Sequence, residues 1–173
     1  MRVQTEQVEG LHLAAGEARG NQVKPRYLDA LNLIERLHRR LLDVIKDDFE
    51  RHGEPEVNPV QALLLYNIAD AELTAGELKT RGHYHGSNVS YNLKKLVESG
   101  YVHHERSSTD RRSVRVRLTP KGQSVRNRVD ALYNRQMQAI EHLVGLDAGE
   151  LERINKALTR LERYWTDQIL YRL

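Results

Sequence analysis

The chain has 173 residues, 39% of them hydrophobic, which suffices for one modest core or two small lobes. It contains no apolar run of about eighteen residues and no charged-then-apolar leader at Met1, so the expectation is a soluble, cytoplasmic protein with no membrane span or secretory signal. With 27 Lys and Arg against 24 Asp and Glu the net charge is only +3, and the absence of cysteine excludes disulfides, thiolate zinc sites, cysteine nucleophiles and thiol redox sensing.

Residues 1–24 include Gly10, Gly16 and Gly20 and hold no sustained period; with Pro25 behind them they read as a mobile arm, with a short helical piece around 8–15. From Tyr27 to Arg51 the residues Leu31, Ile34, Leu37, Leu41, Leu42, Ile45 and Phe49 recur at helical spacing, predicting a long amphipathic helix ended by His52, Gly53 and Pro55. Asn58-Pro59 opens a second helix whose Leu63, Leu64, Leu65 and Ile68 mark it as buried. Thr74 and Glu77 form a capping box for a short third helix over 74–81. A turn carrying His83, Tyr84 and His85 between Gly82 and Gly86 leads to a fourth helix over 87–99, stopped by Gly100. Two short helices joined by a glycine-containing turn predict a helix-turn-helix.

After Gly100 the period changes from 3.6 to 2. Residues 101–106 and 113–118 read as the two strands of a small hairpin, with Val114, Val116 and Leu118 inward and Arg115 and Arg117 outward. Thr119-Pro120 starts another long helix through Val125, Val129, Leu132, Met137, Ile140, Leu143 and Val144 to Gly145. A last helix begins near Asp147 and carries Leu151, Ile154, Leu158, Leu161, Trp165 and Ile169 at spacings of three or four.

The small net charge conceals a segregation. Residues 79–128 hold 12 basic and 3 acidic groups, leaving 15 basic and 21 acidic groups elsewhere, so that one stretch presents itself to a polyanion. With Val89, Leu93, Leu96 and Val97 inward, the fourth helix turns Ser87, Asn88, Ser90, Tyr91, Lys94 and Lys95 outward. Asn bridges the adenine edge with a paired donor and acceptor, Ser is a short donor and acceptor, Tyr reaches a thymine methyl or a phosphate, and the lysines suit phosphates. A plain solvated helix face would look similar. The hairpin favours the DNA reading, because Arg111 and Arg112 at its tip and Arg115 on its second strand put guanidinium groups where a minor groove can take them, with Asp110 placed to orient one. Arg115 and Arg117 would equally serve to solubilise the outer face of a small sheet.

The stretch GYVHHERSSTDRRSVRVRLTPKG, from Gly100 to Gly122, resembles the wing of the MarR family of bacterial transcription regulators, and the helix order over about 27–172 is similar to that family's. The similarity runs through Gly100, Arg106, the Asp110-Arg111-Arg112 tip and Leu118-Thr119-Pro120-Lys121-Gly122. It implies that Arg112 enters the minor groove with Asp110 holding it, and that residues 87–95 face the major groove. The chain departs from the family pattern at Lys79, Gly82 and Tyr91, positions that bear on which base sequence is read. The string RGHYHGSNVSYNLKKLVESGY is similar to an alphaproteobacterial branch of the family, some members of which govern cell-envelope and stress genes.

The fold expected is mainly α with a small β-hairpin (α+β): an arm over 1–25, a first dimerisation helix over 26–56, a winged helix-turn-helix DNA-binding domain over 57–122 and C-terminal dimerisation helices over 123–173. A monomer would leave Trp165, Ile169, Leu170 and Leu173 wet, which points to a homodimer through the first and last helices. Such a dimer spaces two recognition helices about 34 Å apart on an inverted repeat of double-stranded DNA. The function expected is a ligand-responsive repressor. The resemblance adds a small aromatic effector, near which His38, Tyr66 and Tyr133 fall without being assigned to it. The alternatives are a basic module docking an acidic protein and a metal-responsive regulator. For the latter, His83 with His85 and His103 with His104 share no helical register with a third ligand. No catalytic or cofactor fingerprint occurs, so neither an enzyme nor a cofactor is expected.

Overall fold

The computed structural model describes the backbone of residues 2–53, 56–68, 73–74, 77–78, 86–106 and 114–171. They fall into two compact units, Met1–Val60 and Gln61–Leu173.

The first unit is dominated by α1 (Arg2–Arg51), one helix that continues through Pro25. The sequence reading starts this helix at Tyr27 and sets residues 1–24 apart as an arm; the helical backbone instead begins at Arg2. A proline deletes one backbone hydrogen bond and crowds one carbonyl, a local cost of about 3 kcal/mol. On either side of it Ala, Leu, Glu, Gln and Arg, all strong helix formers, predominate. Farther along, the solvent side is laced by pairs one turn apart, Arg39 with Glu35 at 3.1 Å, Lys46 with Glu50 at 3.7 Å, and Arg51 with Asp47. Ile45 and Phe49 are buried near its end, as is Val57.

The helix α2 (Pro59–Ile68) opens on the expected proline and buries Ala62, Leu64, Leu65 and Ile68. A three-stranded antiparallel sheet follows in the order β1-β3-β2, formed by β1 (Leu73–Thr74), β2 (Val102–Arg106) and β3 (Val114–Leu118). The β2–β3 ladder sets Val102 opposite Leu118, His104 opposite Val116 and Arg106 opposite Val114, which is the expected hairpin. The third strand is a correction. Thr74, read as a helix cap, is strand backbone paired with Arg115, while Leu73 pairs with Val116 and is buried. Two residues are too few to show a period of two, so this strand left no pattern in the sequence; it forms because β3 has a second edge of backbone groups to satisfy. Helical backbone then appears at Glu77 and Leu78, and Leu78 is fully buried.

The helix α3 (Gly86–Glu98) packs beside β2 and buries Val89, Asn92, Leu93 and Leu96. The helix α4 (Pro120–Ala139) is capped by Thr119, whose hydroxyl accepts the Gly122 N–H at 3.1 Å, and it buries Val125, Val129 and Leu132. Its last turn widens into a π-helical segment, Ile140–Val144, where the sequence reading continues the α-helix; Gly145 ends it in the left-handed region. A capping box begins α5 (Ala148–Tyr171): Asp147 Oδ1 accepts the Glu150 N–H at 2.7 Å, and Glu150 Oε2 accepts the Asp147 N–H at 3.2 Å. No residue of α5 is buried. Among the described residues no helix is long and apolar enough to cross a membrane.

Candidate nucleic-acid interface

The orientation of α3 follows from its own apolar spacing. Val89, Leu93 and Leu96, at i, i+4 and i+7, are almost fully buried, which fixes the helix against the sheet and turns the opposite face outward. On that face Ser90, Lys94 and Lys95 are exposed and Tyr91 is 62% exposed. A tyrosine ring left this wet on a helix otherwise well packed is available for contact with another molecule. Ser87 and Asn88 lie in the first turn of α3, and the described residues there give the backbone alone. Val97, expected inward, is half-buried at the rim.

Both lysines meet one acid. Lys95 Nζ is 3.1 Å from Glu98 Oε2, and Lys94 Nζ is 3.8 Å from Glu98 Oε1. Donation to Glu98, then its charge, raises the Lys95 pKa above its ordinary 10.5, so this ammonium stays charged at any physiological pH. The pairs are solvent-exposed and therefore weak enough for a phosphate to replace the carboxylate. Sequence reasoning did not single out Glu98; its position three and four residues after two lysines was the available signal. It likewise missed Asn92, a polar residue on the buried side of α3.

The hairpin supplies a second cationic element. Arg115 and Arg117 are exposed on β3, opposite Glu105 and His103. Arg117 Nη2 reaches Glu105 Oε1 at 3.4 Å. The expected tip residues Asp110, Arg111 and Arg112 lie outside the described residues, as do Lys79, Gly82, His83, Tyr84 and His85. Thus the structure brings Ser90, Tyr91, Lys94 and Lys95 together on one helix face and sets Arg115 on the adjoining sheet.

Three features bear on small ligands and metals. Tyr66 and Tyr133 pack edge to face, ring centroids 5.1 Å apart, so each is occupied with the other, while His38 is exposed. A depression of about 150 Å³ lined by Ile45, Phe49, Val57 and Pro59 is smaller than the ~300 Å³ at which ligand pockets begin. Among the described residues no three His, Asp or Glu side chains gather as a metal site, and His103 and His104 are both exposed on successive strand positions.

Comparison with known proteins adds to this geometry. Residues 57–122 match the winged helix DNA-binding domain family. Over 165 residues, 95% of this chain and 84% of the other, the sequence is 33% identical to the exopolysaccharide II synthesis transcriptional activator ExpG of Rhizobium meliloti strain 1021. Among solved structures, the fold is similar to that of FabT of Streptococcus pneumoniae in complex with DNA, with TM-score 0.65, 20% identity, and coverage of 82% of this chain and 98% of that one. It is also similar to AbsC, a MarR family transcriptional regulator from Streptomyces coelicolor, with TM-score 0.64, 19% identity, and coverage of 80% and 93%.

Proposed function

Because the chain belongs to the MarR family of winged-helix, DNA-binding transcription regulators, we propose that it is a sequence-specific regulator that binds an inverted repeat as a homodimer, with α3 in the major groove and the β2–β3 tip in the minor groove. The observation that carries this reading is the outward face of α3, where an exposed tyrosine and two lysines stand on a helix whose other side is locked into the core. The roles are those expected from the sequence. Asn88 and Tyr91 read base edges with Ser87 and Ser90 beside them, Lys94 and Lys95 hold phosphates, Arg111, Arg112 and Arg115 serve the hairpin, and Asp110 orients Arg112.

Dimerisation is supported by apolar surface that one copy leaves wet. On α5 the residues Leu151, Ile154, Leu158, Ile169 and Leu170 are exposed at helical spacings, and on α1 so are Val23, Leu33 and Leu37. A second copy covers such stripes and duplicates the recognition helix with the half-site spacing that a two-fold axis dictates.

We read the regulator as acting by occlusion, and so as a repressor, where its site overlaps a promoter. The 33% identical relative is by name an activator, and the same DNA-bound dimer placed upstream of a promoter would serve that role. A small aromatic effector would act by preferring one spacing of the two lobes. Catalysis has no part in this reading.

The test is selection of duplexes from a random pool by the purified full chain, followed by titration with salt. A palindromic consensus, with affinity falling by orders of magnitude between about 50 and 200 mM salt for roughly 6–10 phosphate contacts, supports the proposal. Failure to prefer any duplex over heparin overturns it.

A further inference from the structure

The recognition helix is fastened at its far end to the first turn of α4. It closes in a Schellman arrangement: the Gly100 N–H donates to Val97 O at 3.0 Å and the Tyr101 N–H to Leu96 O at 2.8 Å, with Gly100 at φ +75° and the Tyr101 and Leu96 side chains both buried. The carbonyls that follow are then taken by side chains of the next helix. Thr119 Oγ1 donates to Gly100 O at 2.8 Å, and Lys121 Nζ donates to Ser99 O at 3.4 Å. The Thr119 N–H donates to Tyr101 O at 3.1 Å. The Lys121 ammonium also stands 4.1 Å from the centroid of the Tyr101 ring.

Within this joint Lys121 differs from the other members. Thr119 also crosses the joint, but its hydroxyl is at the same time the cap of α4, and Gly122 acts through its backbone N–H. Lys121 is not needed for that cap; it reaches back across the joint and lays a positive charge on the carbonyl end of α3, the negative end of that helix's dipole, and on the face of an aromatic ring. Both interactions act on the orientation of α3 relative to α4.

We propose that Lys121 is a positioning residue for DNA recognition: by bridging Ser99 and Tyr101 it sets the angle between α3 and α4, and so the pitch at which Tyr91, Lys94 and Lys95 meet a duplex. The proposal rests on the DNA-binding reading given above. It separates Lys121 from a phosphate contact, because base-edge fit depends on pitch far more than the general attraction of a cationic face for a polyanion does.

The experiment compares the wild-type chain with Lys121→Met, which keeps an apolar stem without charge or donor, and Lys121→Arg, which retains the charge, the donor and the stacking on Tyr101. Each is titrated against a duplex selected by the wild type and against the same duplex with scrambled half-sites, and amide exchange is followed at Thr119 and Gly122. The expected result for Lys121→Met is a loss of about 3- to 10-fold on the selected duplex, the size of an exposed cation–ring contact plus a helix-end charge. Affinity for the scrambled duplex and the salt slope should hold, exchange at both amides should quicken, and Lys121→Arg should restore all of these. Equal losses on both duplexes with a salt slope lower by about one would make Lys121 a phosphate contact and overturn the proposal. Unchanged selected-duplex affinity would overturn it too. Failure of the wild type itself to select any duplex is a separate result, which removes the DNA-binding reading and the positioning role together.

Discussion

Glu98 holds Lys95 at 3.1 Å and Lys94 at 3.8 Å, so the two cations best placed for phosphate share a single carboxylate. In the proposed interface a phosphate that binds through them would exchange one anion for another, and the carboxylate would repel the incoming backbone. Glu98→Gln should tighten binding about 2- to 5-fold on selected and scrambled duplexes alike, which fluorescence anisotropy would read. The gain should shrink when Lys94 and Lys95 are both Gln, and a gain that persists in that background would mean Glu98 acts without them. Thermal stability should barely move, since exposed pairs contribute little. The pH dependence has a defined sign: a raised lysine pKa gives a contribution present below the ordinary 10.5 and lost only as pH climbs through the folded value. The Lys95 pairing is thus constant across neutral pH and fades only in strong alkali.

Gly122 makes a different prediction. A Cβ built there would lie 2.1 Å from the Tyr101 carbonyl oxygen, a backbone atom that is itself bonded to the Thr119 N–H and has nowhere to retreat. Gly122→Ala should cost about 2–3 kcal/mol of unfolding free energy in urea melts, an overpacking cost rather than a helix-propensity gain. A variant as stable as the wild type would show that the α3–α4 joint has slack.

These two residues mark the limits of legibility in the sequence. The helices and the hairpin were readable because their apolar residues repeat: Val89, Leu93 and Leu96 give α3 its buried face, and Val116 against His104 lies in the expected ladder. The glycine of Leu118-Thr119-Pro120-Lys121-Gly122 was visible as a motif, but its reason, a backbone approach from Tyr101, is tertiary and has no local signature. The Leu73–Thr74 strand was hidden for the same cause, since its partner lies more than forty positions away in the chain and Thr74 with Glu77 satisfies a local capping pattern. Three glycines, Pro25 and the lack of an apolar period hide the stretch of α1 that precedes Tyr27, because helix propensity alone leaves no periodic signature. On the outward face of α3, the sequence singled out Tyr91, Lys94 and Lys95, which the fold exposes, but not Glu98, the acid that both lysines meet.

The proposed roles of the α3 residues separate base reading from phosphate holding, and each is testable by itself. Lys94→Gln and Lys95→Gln should each weaken binding to every duplex and lower the salt slope by about one. Tyr91→Ala should leave the slope alone and flatten the sequence preference, measured as the ratio of selected to scrambled affinity. A Tyr91 variant with undiminished preference would remove that residue from base reading.

Arg112 carries the corresponding prediction for the hairpin tip. If its guanidinium enters the minor groove, Arg112→Ala should cost about 1–3 kcal/mol of binding while the oligomeric state is unchanged, which parallel anisotropy and light-scattering measurements would show. Undiminished affinity would confine recognition to α3.

The exposed stripe of α5 makes a prediction for the proposed homodimer. Leu151, Ile154 and Leu158 lie one turn apart on a helix with no buried residue, and burying such a stripe contributes about 25 cal/mol for each Å² removed from water. Leu158→Glu places a charge in the middle of that stripe. Because the winged lobe has its own core, in Leu65, Ile68, Leu96 and Val116, the variant should stay folded by circular dichroism while sedimenting as a monomer. A monomer forfeits the second half-site, so its affinity for the full selected duplex should collapse to that for a single half-site, and its dependence on half-site spacing should vanish. A Leu158→Glu chain that remains dimeric would place the self-association surface elsewhere, with α1 and its exposed Leu33 and Leu37 the next face to alter.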